Sequence, residues 1–121
     1  MDHAFHLVPI WNRKLLLIVG FEKEELLSLI SLHKLGNEIR RSIIVHEPTN
    51  GMYGCVYFSD RNGACLIYFP HKKVRTDTII HETNHITRHM LKSLGAVGGR
   101  EPHAYLQEYL YHWIKQQLKT M

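Results

Sequence analysis

Met52–Phe69 reads M-Y-G-C-V-Y-F-S-D-R-N-G-A-C-L-I-Y-F. Two runs rich in aromatic and branched residues, Met52–Ser59 and Ala64–Phe69, flank the tetrapeptide D-R-N-G at Asp60–Gly63. Such side chains suit a pleated sheet, and Asn-Gly readily adopts the left-handed backbone of a tight reversal. The stretch therefore predicts a β-hairpin turning at Asn62-Gly63. Pro70 has no N–H to offer a ladder and ends the second strand.

Upstream, K-L-L-L-I-V at Lys14–Val19 is short, apolar and followed by Gly20, which predicts a buried strand. From Glu22 the period changes: Leu26, Leu27, Ile30 and Leu35 fall near one helical face, acidic residues crowd the first turn, and Gly36 supplies a stop. Ile43–Val45 reads as a further short strand, closed by E-P-T-N-G at Glu47–Gly51. Downstream, Thr76 or Asp77 is placed to cap a helix running to about Leu94, with Gly95 beyond it. After A-V-G-G-R a last helix is expected from Glu101 or Pro102 to Lys119. The predicted order, β-α-β-β-β-α-α, describes one α+β domain over residues 1–121 with a small, mostly antiparallel sheet.

A chain of 121 residues has room for one such domain and one modest core. Net charge is +4 and Lys and Arg are scattered, without an arginine-rich run or basic helix, so nucleic-acid binding finds no support. Cys55 and Cys65 form no C-x-x-C pattern and read as two reduced thiols in adjacent strands. The opening M-D-H-A-F-H-L-V-P-I lacks the layout of a signal peptide, and the longest apolar run, Leu15–Val19, is too short for a bilayer. A cytoplasmic protein with no membrane partner is expected.

The helix after the hairpin carries T-I-I-H-E-T-N-H-I-T-R-H-M-L, Thr78–Leu91. In H-E-x-x-H on a helix the two histidines, here His81 and His85, project from one face and can share an ion. The glutamate between them, Glu82, can address a water at that ion as general base. The pattern arises by chance in roughly one shuffled chain of this composition in twenty. Its position inside a predicted helix, directly after Ile79-Ile80, raises its weight. His89 continues the stripe but lies ~12 Å along the helix from His81, too far to share the ion.

A catalytic zinc takes three protein ligands and leaves one position open. The candidates for the third, Glu101, His103 and Glu108, lie in G-G-R-E-P-H-A-Y-L-Q-E-Y-L. A returning loop favours Glu101 and a tight turn favours Glu108, so geometry leaves the choice open. Glu101, Tyr105 and Glu108 share a helical face that His103 does not.

H-E-T-N-H, the L-G-A-V-G-G spacer and E-P-H-A-Y-L-Q-E-Y-L together resemble a group of small zincin-like proteins encoded by tailed bacteriophages. In these an H-E-x-x-H helix is followed by a short loop and by E-x-x-A-Y-L opening the last helix. The likeness covers most of the chain, its specific part being His81–Tyr109. It implies a minimal zincin fold and a zinc metallopeptidase, with Glu101 as third ligand beside His81 and His85. His103 departs from the pattern, where an apolar or aromatic residue is expected. Tyr105, four residues after Glu101, reads either as a phenol that stabilises a developing oxyanion or as a core residue between the two helices.

The leading expectation is thus zinc-dependent hydrolysis of a peptide or protein substrate, with Glu82 as general base and the Ala64–Phe69 strand offering its edge to the substrate. The second is a zincin fold that binds zinc but serves virion assembly or counters a host defence without proteolysis. The third is a histidine-rich domain whose motif is coincidental. Oligomeric state is not encoded in any motif.

Overall fold

The computed structural model describes residues 1–9, 12–95 and 100–121, without the side chains of residues 100 and 101. It is an α+β structure with four helices and a four-stranded mixed sheet among the described residues. The strands are β1 (Asp2–Val8), β2 (Arg13–Val19), β3 (Cys55–Phe58) and β4 (Cys65–Phe69). The helices are α1 (Lys23–Leu32), α2 (Asn37–Val45), α3 (Thr76–Ser93) and α4 (Arg100–Thr120).

Sheet order is β1-β2-β4-β3. The β1–β2 and β3–β4 pairings are antiparallel, as expected of the hairpin, but the central β2–β4 pairing is parallel, with Leu15 opposite Cys65 and Val19 opposite Phe69. This register makes the two central strands alternate in step. Leu15, Leu17, Val19, Cys65, Ile67 and Phe69 face α3 and α4. Leu16, Ile18, Leu66 and Tyr68 face α1 and α2. Helices cover both faces, which is why these two strands read as unbroken apolar runs rather than alternating ones.

Three expectations are corrected. Ile43–Val45 is not a strand but the last part of α2, whose Ile39 and Ile43 sit four residues apart and are fully buried against the sheet. A three-residue apolar run carries too little period to tell the two apart. The first helix ends at Leu32 rather than near Gly36, because the chain turns left-handed at Lys34 (φ 54°) and Gly36 opens α2 instead. Finally, Ala64–Phe69 is not an edge: β4 lies between β2 and β3, its residues buried throughout, and the edge belongs to β3.

The strand β1 had no counterpart in the sequence reading, since A-F-H-L-V alternates only weakly. Phe5 stacks on His33 on one face of the sheet, while His6 stacks on Trp113 of α4 on the other. The β3–β4 connection is longer than a two-residue turn. Ser59 and Ala64 close it by a backbone hydrogen bond of 2.9 Å, Gly63 sits at φ 73°, and the Asn62 side chain accepts from the Ala64 N–H. Cys55 and Cys65 are free and lie at opposite ends of the hairpin, Cys55 across from Tyr68 and Cys65 across from Phe58. Among the described residues no helix is long and apolar enough to cross a membrane.

Candidate metal centre

α3 begins after Arg75, whose extended backbone caps it without a side-chain hydrogen bond. Thr76 and Asp77, expected as caps, lie inside the helix, and the Asp77 carboxylate accepts from the Arg75 guanidinium and the Thr78 N–H, each at 2.9 Å. Ile79, Thr83, Ile86 and Met90 are buried on one face. Thr83 and Thr87 satisfy their hydroxyls by donating to the Ile79 and Thr83 carbonyls at 2.8 Å, so the apolar layer accepts them without orphaned groups. This core face fixes the rotation of the helix and sends His81 and His85 outward.

The two Nε2 atoms stand 3.2 Å apart, with the rings edge to face at a centroid separation of 4.7 Å. Two nitrogens each about 2.05 Å from a tetrahedral zinc would lie about 3.3 Å apart. The pair therefore has the spacing that a shared ion requires. The same contact serves as a hydrogen bond when one ring is protonated on Nε2.

Glu82 points differently. Only 8% exposed, it turns toward the loop that precedes β3 and lines a cleft of about 630 Å³ with His81, Thr78, Met52, Tyr53 and Gly54. Burial holds its carboxyl above the ordinary carboxylate pKa, and the two adjacent histidines pull the other way. Glycine is needed at 54, because a Cβ there would stand 2.9 Å from the Phe69 ring and 3.2 Å from the Tyr68 carbonyl oxygen. The close approach lets the loop form the outer wall of the cleft.

His89 belongs to the scaffold. Its ring stacks on Phe58 at 4.4 Å, Nε2 donates to the Ser59 carbonyl at 3.0 Å, and Nδ1 lies 3.8 Å from Asp60. It ties the C-terminal half of α3 to the end of β3. The edge strand consequently runs beside α3, from the His81–Glu82 end toward His89.

The α4 candidates separate. His103 is half-buried against α3, its Nε2 2.9 Å from the side-chain oxygen of Asn84 and 3.1 Å from that of Gln107. Glu108 is exposed, 3.8 Å from His112. Tyr105 is 67% exposed and lines with Glu108, Tyr109 and Trp113 a cleft distinct from that of Glu82, so it is not a core residue between the helices. The phenol that borders the Glu82 cleft is Tyr53. The side chain of Glu101, and the spacer residues 96–99, lie outside the described residues. Among the described residues no three His, Cys, Asp or Glu side chains converge to hold an ion.

The sequence reading missed Tyr53, Thr78 and the Asn84–His103 contact. Asn84 occupies an unspecified position of H-E-x-x-H, and its partner depends on the register between two helices that no local pattern encodes. Comparison with protein families, curated proteins and solved structures returns no match to this chain.

Proposed function

We propose that the protein is a zinc-dependent peptide hydrolase of minimal, zincin-like construction. The observation that carries this reading is the 3.2 Å approach of the His81 and His85 Nε2 atoms beside a buried Glu82 that lines the neighbouring cleft. His81 and His85 would hold the ion. The third ligand of this reading is Glu101, the position that the resemblance to the zincin-like phage proteins implies; its side chain lies outside the described residues. When bound, zinc supplies a Lewis acid that lowers the pKa of a water and polarises a carbonyl.

Glu82 then performs the proton transfers. Its carboxylate, made more basic by burial, takes a proton as the water oxygen attacks the carbonyl carbon, and delivers it to the departing amine nitrogen as the C–N bond breaks. The outer edge of β3 has no strand partner among the described residues and runs beside α3, so its backbone groups suit an extended chain. The phenol of Tyr53, which is 82% exposed at the cleft, is placed to contact that chain.

The deciding experiment combines elemental analysis of untagged protein with cleavage of a mixed peptide library. One zinc per chain, lost in Glu101→Ala and in His81→Ala, with library cleavage that disappears in Glu82→Gln, supports the reading. Zinc without cleavage by the wild-type chain transfers the protein to the non-proteolytic, interaction class.

A further inference from the structure

The cleft of Glu82 does not end at the helix terminus. Met52, Tyr53 and Thr78 line both that cleft and an adjoining depression that continues over His71, Lys73 and Arg75. Lys73, Val74 and Arg75 in turn border a third cleft of about 490 Å³, between the segment before α3 and the end of α4. Its rim gathers Lys72, Lys73, Arg75, Lys115 and Lys119. Its floor is Val74, Ile79 and Leu118. The sequence scatters these cations over two segments, Lys72–Arg75 and Lys115–Lys119; the packing of α3 on α4 makes them one patch.

Arg75 pairs with Asp77 at 2.9 Å, and Lys72 donates to the Met121 carbonyl oxygen at 3.3 Å. Lys73, Lys115 and Lys119 have no carboxylate partner among the described residues; Lys115 donates to the Tyr111 hydroxyl at 3.2 Å and lies over its ring. All five cations are exposed. Such a surface attracts anions, and its apolar floor suits a chain that carries carboxylates beside aliphatic groups. Among the described residues that line the cleft none is aromatic and able to stack a nucleobase, which favours an acidic peptide over a nucleic acid. Arg75 precedes His81 by six residues, about 9 Å along the helix, which is about three residues of extended peptide.

We infer that the protein selects peptides bearing acidic residues about three or more positions to one side of the bond at the His81–Glu82 centre, recognised by Lys73, Lys115 and Lys119. Cleavage at that bond rests on the hydrolase reading above; binding of the acidic segment does not.

The test uses Glu82→Gln protein and a peptide with a neutral fluorophore, carrying a block of glutamates on one side of a central apolar pair. Its glutamine counterpart and a single-stranded oligonucleotide of similar length serve as comparisons. Anisotropy should show the glutamate peptide binding about tenfold tighter than the glutamine peptide, with the preference fading as salt is raised. The triple variant Lys73→Ala/Lys115→Ala/Lys119→Ala should lose that preference, and the triple Lys→Glu variant should turn it toward a lysine peptide, while both keep wild-type zinc content. Equal binding of both peptides, a preference unchanged in the triple variants, or tighter binding of the oligonucleotide overturns the inference. Absence of zinc or of library cleavage in the wild type overturns the hydrolase reading alone, since the binding comparison still decides the acidic-peptide site.

Discussion

His81 and His85 bring their Nε2 atoms to 3.2 Å on the outer face of α3, while Glu82, between them in sequence, is almost fully buried in the adjoining cleft. Within one helical turn a pair of outward-facing nitrogens thus sits beside a carboxyl largely shielded from water. Adding zinc should raise the unfolding temperature of the wild-type chain; a hundredfold excess over its Kd corresponds to roughly 2.7 kcal/mol. His85→Ala should show no such rise in a thermal melt. An equal rise in His85→Ala would place any zinc elsewhere.

Glu82→Gln should retain zinc and lower cleavage by at least about a hundredfold, the lower range for removing a general base. In chelator-treated protein its stability carries a second signature. Burial raises the folded-state pKa of Glu82, so the folded chain holds this proton to higher pH than the unfolded chain does. The ionised carboxylate therefore costs stability above the folded pKa, and the cost vanishes below the unfolded value. Denaturant titrations should find the variant at least as stable as wild type at neutral pH, with the gap closing in acid.

His89→Ala should destabilise the fold without changing zinc stoichiometry. It removes the stack on Phe58 and the bond to the Ser59 carbonyl, a loss of about 2 kcal/mol in chemical denaturation. Loss of zinc with the fold intact would make His89 a ligand after all.

His6 couples β1 to α4, with Nε2 2.7 Å from the Tyr109 hydroxyl and its ring stacked on Trp113. Burial lowers its pKa, so the folded chain binds this proton less readily than the unfolded chain. Its contribution is whole above the unfolded pKa and falls as pH drops through that value toward the lower, folded one. His6→Gln should cost about 1 kcal/mol at about pH 8, and the gap from wild type should narrow by about pH 5. A gap that stays constant between those conditions would remove His6 as the source.

Gly63→Ala should lose about 1 kcal/mol or more. The residue sits at φ 73°, and a Cβ would come within 2.5 Å of the Arg13 Nε and 2.7 Å of the Ser93 hydroxyl. Arg13 donates to Ser93 at 3.0 Å, so the strain falls on a link between β2 and the end of α3. Unchanged stability would mean that this link gives way freely.

Local sequence determined the elements whose signal is short-ranged. The hairpin, β2, the long helix ending at Ser93 and the last helix all follow from side-chain type and period along the chain. So does the spacing of His81 and His85, because a four-residue step on a helix is set by its pitch. What lay outside that reach was decided by the tertiary structure. The parallel pairing of β2 with β4 moved the edge from β4 to β3, since strand order depends on which faces the helices cover. Ile43–Val45 became helix because Ile39 and Ile43 are buried together against the sheet. The cleft of Glu82 needed Tyr53 and Gly54 from a loop almost thirty residues away, and the basic patch needed α4 to lie along α3. Period and composition act between near neighbours, whereas which surfaces meet is settled by burying both apolar faces of one sheet at once.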